Sequence, residues 1–153
     1  VGGNLCPILK IGTKGKTRER QRTKLVFLSS RVHPGESVSS LMMEGLLDYL
    51  TGDSREAKFL RDRFTFYIVP ILNIDGVVNG NYRSDILGKD LNRRWSSPDP
   101  INEPVIYNYK QIVTQLTATH GSESVSLIAD FHGHSKMKNI FAYGCVDADQ
   151  VHI

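Results

Sequence analysis

Apolar residues along this chain alternate between short continuous runs and a longer, helical spacing. The runs at 25–28 and 64–69 are rich in aromatic and aliphatic residues and predict buried strands. At 38–52 and 102–121 the apolar positions recur every three to four residues, which predicts two amphipathic helices. Strands that alternate with helices at this spacing predict an α/β fold with a largely parallel sheet.

Each predicted helix has one apolar face that we expect to meet the sheet. For the first helix this face consists of Val38, Leu41, Met42, Leu46, Tyr49 and Leu50. For the second it consists of Val105, Ile106, Tyr109, Ile112, Val113 and Leu116. Asp53 and Glu56 have the spacing of a capping box and predict a shorter helix or turn before the strand at 64–69.

The second half of the chain combines further strands with a long irregular segment. The run 125–132 predicts a strand, and 139–143 predicts another. Alternation along the first of these places Val125, Leu127, Ala129 and Phe131 on one face and Ile128, Asp130 and His132 on the other. The segment from 73 to about 100 is rich in Gly, Asn and Asp, and a loop of this length inside a compact domain is usually functional or disordered. Its mixture of Arg, Asn, Asp and Trp95 favours a function.

Composition narrows the class of protein. The chain is 40% hydrophobic and 23% charged, as in ordinary globular domains, and its net charge of +3 is too small to imply a nucleic-acid partner. No apolar run approaches the ~18 residues of a membrane helix. Cys6 and Cys145 lack the pattern of a disulfide scaffold and fit a reducing compartment. Val1 is not an initiator methionine, and we expect the chain to be a fragment.

Positive charge is concentrated near the start of the chain. Cations occupy every second position: Lys14, Lys16, Arg18, Arg20, Arg22 and Lys24. In an extended segment they would all lie on one side, because successive side chains point to opposite faces. This basic strip is either a solvated surface or an attractive surface for an acidic polymer.

Two histidine motifs follow predicted strands. Pro34-Gly35 predicts a type II turn that places His33 beside Glu36. His132 ends the strand at 125–132, and active-site groups gather at such strand ends in α/β sheets. Two histidines and one glutamate suit catalytic zinc, which takes three protein ligands and leaves one position for water. Taken singly, the first motif is also compatible with a surface turn and the second with a structural histidine. The other histidines that could serve as ligands instead are His120, His134 and His152.

The irregular segment contains a candidate anion site. Arg83, Asn92 and Arg93 offer guanidinium and amide donors that match a carboxylate, so beside a metal they would form a clamp for an anion. The alternative is an exposed loop whose charges pair locally. Asp90 is a candidate outer partner that fixes the tautomer of a ligand histidine.

In chain order, these motifs resemble those of the zinc metallocarboxypeptidases, and most closely those of the cytosolic carboxypeptidase subfamily that processes tubulin. The resemblance extends over about residues 24–144 and rests on the segments 33–36, 73–76, 80–93 and 130–144. It implies a mixed, mainly parallel sheet flanked by helices and one zinc ion per chain. The implied zinc ligands are His33, Glu36 and His132.

The resemblance also implies roles for the loop residues. Asn92 and Arg93 match the pair that binds the C-terminal carboxylate of the substrate, and Arg83 matches the arginine that stabilises the oxyanion. Asp90 matches the carboxylate that orients the first ligand histidine. The implied reaction is removal of C-terminal amino acids, with glutamates of acidic tails such as tubulin's as substrates, in the cytoplasm.

One part of the family pattern has no match in this chain. In the family, the general-base glutamate and a substrate-capping tyrosine lie further along the catalytic domain. We therefore expect residues 1–153 to be a partial catalytic domain that is inactive alone and has an open sheet edge. Two alternative interpretations of the sequence are an aspartoacylase-like zinc amidohydrolase and a non-catalytic module that binds peptide carboxylates.

Overall fold

The computed structural model describes residues 1–12 and 23–144, and within them the chain forms a mixed sheet flanked by helices, as predicted. The strands are β1 (Leu9–Ile11), β2 (Lys24–Ser30), β3 (Phe64–Val69) and β4 (Val125–Phe131). Their order across the sheet is β1-β3-β2-β4. β2 is parallel to both β3 and β4, whereas β1, which the sequence did not predict, pairs antiparallel with β3.

Four helices of the described residues pack around this sheet. They are α1 (Ser37–Thr51), α2 (Arg55–Arg63), α3 (Ile74–Asn79) and α4 (Pro104–His120). The predicted capping box before α2 is wrong by one residue, because Ser54 accepts the Ala57 amide at 3.0 Å. None of the helices in the described part of the chain is long and apolar enough to cross a membrane.

The central strand β2 is buried on both faces and divides the core into two clusters. On one face, Leu25 and Phe27 pack against Ile106 and Tyr109 of α4. On the other face, Val26 and Leu28 pack against apolar residues of α1 and β3, namely Met43, Leu50, Phe66 and Ile68. This burial fixes the position of the carboxyl end of β2, from which the chain turns towards His33.

The predicted core face of α1 is largely wrong, whereas that of α4 is confirmed at most positions. The first two turns of α1 expose Val38, Leu41 and Met42 to solvent. The residues that pack on the sheet are Met43, Leu46, Leu47 and Leu50. Both sets have helical spacing, so the sequence of α1 offers two apolar faces and only the packing decides between them. In α4, the buried or packed residues are Val105, Ile106, Tyr109, Val113 and Leu116, as predicted.

Two predictions about the last part of the chain are also wrong. The pairing of β4 with β2 shifts register between Leu25 and Val26, which places Val125 in the α4 cluster although Ala129 and Phe131 face α1. An irregularity of this kind rotates the strand by one residue, and alternation alone does not reveal it. Residues 139–143 form no strand; Asn139 has φ of 63°, which interrupts an extended backbone.

Much of the segment between α3 and α4 is irregular but held by charged contacts to the start of α4. Glu103 directly precedes α4 and is fully buried. Its Oε1 accepts hydrogen bonds from Lys89 Nζ at 3.0 Å and Arg94 Nε at 2.7 Å, and its Oε2 accepts the Asp99 amide at 2.8 Å. Within this segment, Leu91–Arg93 forms a 3-10 turn.

These contacts predict an acid-sensitive contribution to stability. Burial of Glu103 opposes its charge, but the hydrogen bonds from Asp99, Lys89 and Arg94 outweigh this effect and lower the pKa of the carboxyl. A lowered pKa stabilises the fold above the unfolded value of about 4.3, and this stabilisation is lost as the pH falls through the folded value.

We therefore expect Glu103→Gln to lower the free energy of unfolding at neutral pH, and the difference from the parent chain to shrink as the pH falls below about 4.3. Urea unfolding at a series of pH values measures this difference. Glu44→Gln, at an exposed position of α1, is the matched control. Parallel curves for the parent and Glu103→Gln across the acid range would contradict the prediction.

Candidate metal centre

Three donor side chains meet beside the carboxyl ends of β2 and β4. His33 Nδ1 lies 2.8 Å from Glu36 Oε1, and His132 Nδ1 lies 3.0 Å from Glu36 Oε2. One possible ligand atom of each residue lies within 4.8 Å of those of the other two. Within residues 1–12 and 23–144, this is the one group of three or more His, Cys, Asp or Glu with such spacing. The structure thus brings together the three ligands that the sequence predicts.

Each imidazole turns its other nitrogen towards a carboxylate outside the group. His33 Nε2 lies 3.1 Å from Asp90 Oδ1, and His132 Nε2 lies 2.8 Å from Asp130 Oδ2. A histidine whose Nε2–H donates to a carboxylate has its Nδ1 lone pair available to a metal. Both Nδ1 atoms face Glu36, so the donor set fits zinc bound by two imidazoles and one carboxylate.

Asp130 contacts the candidate ligand His132, and the sequence analysis placed both on one face of the strand but gave Asp130 no role. Its Oδ1 accepts a hydrogen bond from Ser29 Oγ at 2.7 Å, which fixes the carboxylate between β2 and His132. The Asp130 carboxylate, 2.8 Å from Nε2, raises the pKa of the His132 imidazole, and burial opposes this effect. The signal in the sequence is an acid two residues before a histidine at a strand end, where both point to the same face.

The turn between β2 and α1 is not the predicted type II turn. The Glu36 amide donates to the His33 carbonyl at 3.2 Å, so a turn is present, but Gly35 lacks the positive φ that type II requires. Glycine is needed for another reason. Gly35 N donates to the Tyr82 carbonyl at 2.6 Å, and a Cβ at residue 35 would lie 2.6 Å from that same oxygen. The close approach of Tyr82 joins the turn to the loop that carries Arg83.

Two contacts hold the Glu36 turn in place. Arg31 adopts a left-handed conformation with φ of 56°, and its guanidinium donates to the Pro34 carbonyl and to Ser40 Oγ of α1. The Gly133 amide donates to Glu36 Oε2 at 2.8 Å. Strained backbone at such a position is typical of functional sites. Arg31 was not singled out by the sequence, because nothing local signals its conformation.

The predicted anion-binding residues lie on the loop that contains Asp90. Arg83 Nε donates to Asp90 Oδ2 at 2.9 Å and its Nη2 lies 2.8 Å from the same oxygen, so a single carboxylate joins this half-exposed arginine to His33. Asn92 Oδ1 accepts the indole N–H of Trp95 at 2.9 Å, which directs its amide nitrogen away from Trp95. Arg93 is exposed, and its side chain makes no hydrogen bond or ion pair within the described residues. Its guanidinium is therefore available to an anion.

The rival ligands do not join the metal centre. His120 Nδ1 lies 3.0 Å from the Leu116 carbonyl at the end of α4, and His134 Nδ1 accepts the amides of Lys136 and Met137. His152 lies outside the described residues, as do Cys145 and the cations of the basic strip from 14 to 22. Lys24, the last cation of the strip, donates to the Glu123 carbonyl.

The carboxylates that contact the two ligand histidines, within residues 1–12 and 23–144, are Glu36, Asp90 and Asp130. Each of these carboxylates already contacts an imidazole. The expectation that the base lies beyond this chain stays a prediction.

A profile of the zinc carboxypeptidase family matches residues 1–150. This chain belongs to the zinc carboxypeptidase family. Mouse cytosolic carboxypeptidase 1 is 44% identical over 151 residues, which is 95% of this chain and 12% of that protein. Bovine cytosolic carboxypeptidase 3 is 44% identical over 150 residues, or 98% of this chain and 15% of that protein. The zinc carboxypeptidase chain therefore spans only a small part of these relatives.

Solved structures give the same assignment. A putative carboxypeptidase A from Shewanella denitrificans has a TM-score of 0.69 and 34% identity, over 84% of this chain and 31% of that one. A metallo-carboxypeptidase from Pseudomonas aeruginosa has a TM-score of 0.68 and 29% identity, over 84% of this chain and 32% of that one. The predicted family and fold are confirmed. The family implies zinc, and the donor set of His33, Glu36 and His132 fits it.

Proposed function

We propose that this chain carries the metal-binding and carboxylate-binding part of a carboxypeptidase active site. The complete gene product would release single amino acids from the C-terminus of polypeptides. The observation that carries the proposal is the convergence of His33, Glu36 and His132, with both outward ring nitrogens on the carboxylates of Asp90 and Asp130. Family membership supports the same reaction class.

The chain's own residues prepare the metal centre. Asp90 and Asp130 hold the proton on Nε2 of each histidine, so that Nδ1 of His33 and of His132 can bind zinc together with Glu36. A zinc ion bound there supplies a Lewis acid that polarises the peptide carbonyl and lowers the pKa of water. Three protein ligands would leave one coordination position of a zinc ion for water or substrate.

The loop residues select and place the end of the polypeptide. Arg93 and the amide nitrogen of Asn92 bind the C-terminal carboxylate, which puts the last peptide bond beside the metal centre. Arg83, next to Asp90, stabilises the negative charge that develops on the carbonyl oxygen. In the net reaction the last C–N bond breaks, the oxygen of water goes to the acyl carbon, and a proton goes to the leaving amine. The base that moves this proton is expected outside this chain.

The proposed substrate class follows from the resemblance of the sequence to the cytosolic carboxypeptidases. We propose that the preferred substrates are glutamates at the end of acidic tails, such as those of tubulin, and that the reaction takes place in the cytosol. Two observations support this: the relatives are named cytosolic carboxypeptidases, and the basic strip from Lys14 to Lys24 would attract an acidic chain.

Release of free amino acid from defined substrates tests the proposal. The complete gene product with zinc should release glutamate from a peptide that ends in several glutamates, and should leave N-acetylaspartate and the C-terminally amidated peptide intact. The zinc-loaded 153-residue chain should bind the free-carboxylate peptide without turnover, because it lacks the expected base.

Each alternative predicts a different pattern. Deacetylation of N-acetylaspartate would indicate an aspartoacylase-like amidohydrolase. Peptide binding without turnover by the complete gene product would indicate a non-catalytic module. Turnover by the 153-residue chain alone would show that the base lies within it. Release of a neutral residue in preference to glutamate would contradict the substrate class and leave the reaction class intact.

A further inference from the structure

Glu103 is a buried charged residue that the metal centre does not use. Its side chain is fully excluded from solvent, yet it carries a charge that burial alone would disfavour. Two cations offset this cost. Lys89 Nζ and Arg94 Nε both donate to the same oxygen, Oε1, at 3.0 and 2.7 Å. The arrangement is a paired, hydrogen-bonded buried carboxylate, which is the form in which buried charge is tolerated.

The two cations, Lys89 and Arg94, flank a short segment that carries proposed site residues. Lys89 directly precedes Asp90, and Arg94 directly follows Arg93. The four residues between them include the carboxylate that orients His33 and the proposed pair for the substrate carboxylate, Asn92 and Arg93. A single carboxylate therefore holds both ends of this segment, which we name the 90–93 loop.

The other side of Glu103 belongs to a rigid element. Its carbonyl accepts the Tyr107 amide in the first turn of α4, and α4 is anchored in the core through Ile106 and Tyr109. Farther along the same helix, Lys110 Nζ donates to the Trp95 carbonyl at 2.9 Å. The segment that contains the 90–93 loop is thus attached to α4 at two points, through Glu103 and through Lys110. The exposed Arg93 side chain, which has no partner of its own in the described residues, depends for its position on these contacts of the neighbouring residues.

We infer that Glu103 is a positioning residue. It holds the 90–93 loop at a distance from the metal centre that lets Asn92 and Arg93 recognise a free C-terminal carboxylate. This inference rests on the proposed function, because it assigns the recognition of the carboxylate to Asn92 and Arg93. In catalysis, a displacement of about 1 Å in a substrate-positioning group can lower the rate about 100-fold, so small shifts of such a loop have measurable consequences. The role differs from stabilisation of the fold, because it acts on one chemical group of the ligand.

The test compares two peptides that differ only at the C-terminus. The zinc-loaded chain is titrated with a glutamate-ending peptide that has a free carboxylate and with the same peptide amidated, by calorimetry. The dissociation constant of the amidated peptide divided by that of the free-carboxylate peptide measures the discrimination of the carboxylate. We expect Glu103→Gln to reduce this ratio about tenfold or more. Glu44→Gln, an exposed glutamate in α1, should leave it unchanged.

A second pair of variants serves if Glu103→Gln does not fold. Lys89→Gln removes one contact to Oε1 and leaves the Arg94 contact, so we expect a severalfold lower ratio in a folded protein. Lys89→Arg keeps a cation that can reach the same oxygen and should restore most of the ratio. A change in stability alone would alter binding of both peptides together and would leave the ratio intact.

The outcomes separate this inference from the proposed function. A parent chain that does not discriminate the two peptides would contradict carboxylate recognition by Asn92 and Arg93, and with it the basis of the inference. A parent chain that discriminates, beside a folded Glu103→Gln or Lys89→Gln variant that discriminates equally well, would overturn the role of Glu103 and leave the proposed function standing.

Discussion

Replacement of His33 or His132 by alanine is expected to weaken zinc binding by about two to three orders of magnitude. The apparent free energy of zinc binding to four-ligand sites is about 10–16 kcal/mol, so one ligand accounts for roughly 2.5–4 kcal/mol. Loss of one ligand should therefore weaken zinc binding by roughly 100- to 1,000-fold. Competition with a chromophoric chelator at constant pH measures this change, and the parent chain should bind one zinc ion.

Control variants show whether the effect belongs to the proposed ligands. His134→Ala removes an exposed histidine two residues from His132 and should keep parent affinity, because its Nδ1 is engaged by backbone amides. Asp130→Asn should give an intermediate loss of about 10- to 100-fold, since the outer carboxylate acts through His132. Full affinity in His33→Ala, or loss of affinity in His134→Ala, would contradict this ligand set.

Replacement of Arg93 by alanine is expected to weaken binding of a free-carboxylate peptide by at least about 100-fold, without a change in zinc affinity. A guanidinium can make two parallel charge-assisted hydrogen bonds to a carboxylate, each worth about 1.5–3 kcal/mol, and the exposed Arg93 has no competing partner in the described residues. The sole tryptophan, Trp95, donates its indole N–H to Asn92 and provides an intrinsic fluorescence signal for the titration.

Three comparisons complete this experiment. Arg93→Lys keeps the charge but loses the fork, so its affinity should fall between those of the parent and Arg93→Ala. Arg55→Ala, at the exposed start of α2, is the matched arginine control and should bind like the parent. The amidated peptide should bind the parent and Arg93→Ala alike. Equal loss for the amidated peptide would show that Arg93 does not recognise the carboxylate.

The metal centre could be predicted because its signals are local. His33 and Glu36 lie three residues apart around a Pro-Gly turn, and His132 ends an apolar strand. Each motif follows a strand whose composition is easily recognised, and parallel strands bring their carboxyl ends to the same edge of a sheet. The order of the motifs along the chain then indicated the family.

Other features of the fold and of the site could not be predicted, because they depend on contacts between segments that are distant in the chain. α1 has two apolar faces, and the sheet selects the one with Met43, which no periodicity distinguishes from the one with Leu41. The register shift in β4 arises from its pairing with β2. The need for glycine at residue 35 comes from the approach of Tyr82, and the anchoring of Lys89 and Arg94 comes from the way a loop folds over the first turn of α4.

Anomalous diffraction at the zinc absorption edge, from crystals of the zinc-loaded chain, tests the proposed metal centre most directly. We expect one anomalous peak within about 2.0–2.2 Å of His33 Nδ1, a Glu36 carboxylate oxygen and His132 Nδ1. A peak coordinated by other residues, or by Nε2 instead of Nδ1 of the two histidines, would contradict the proposed metal centre.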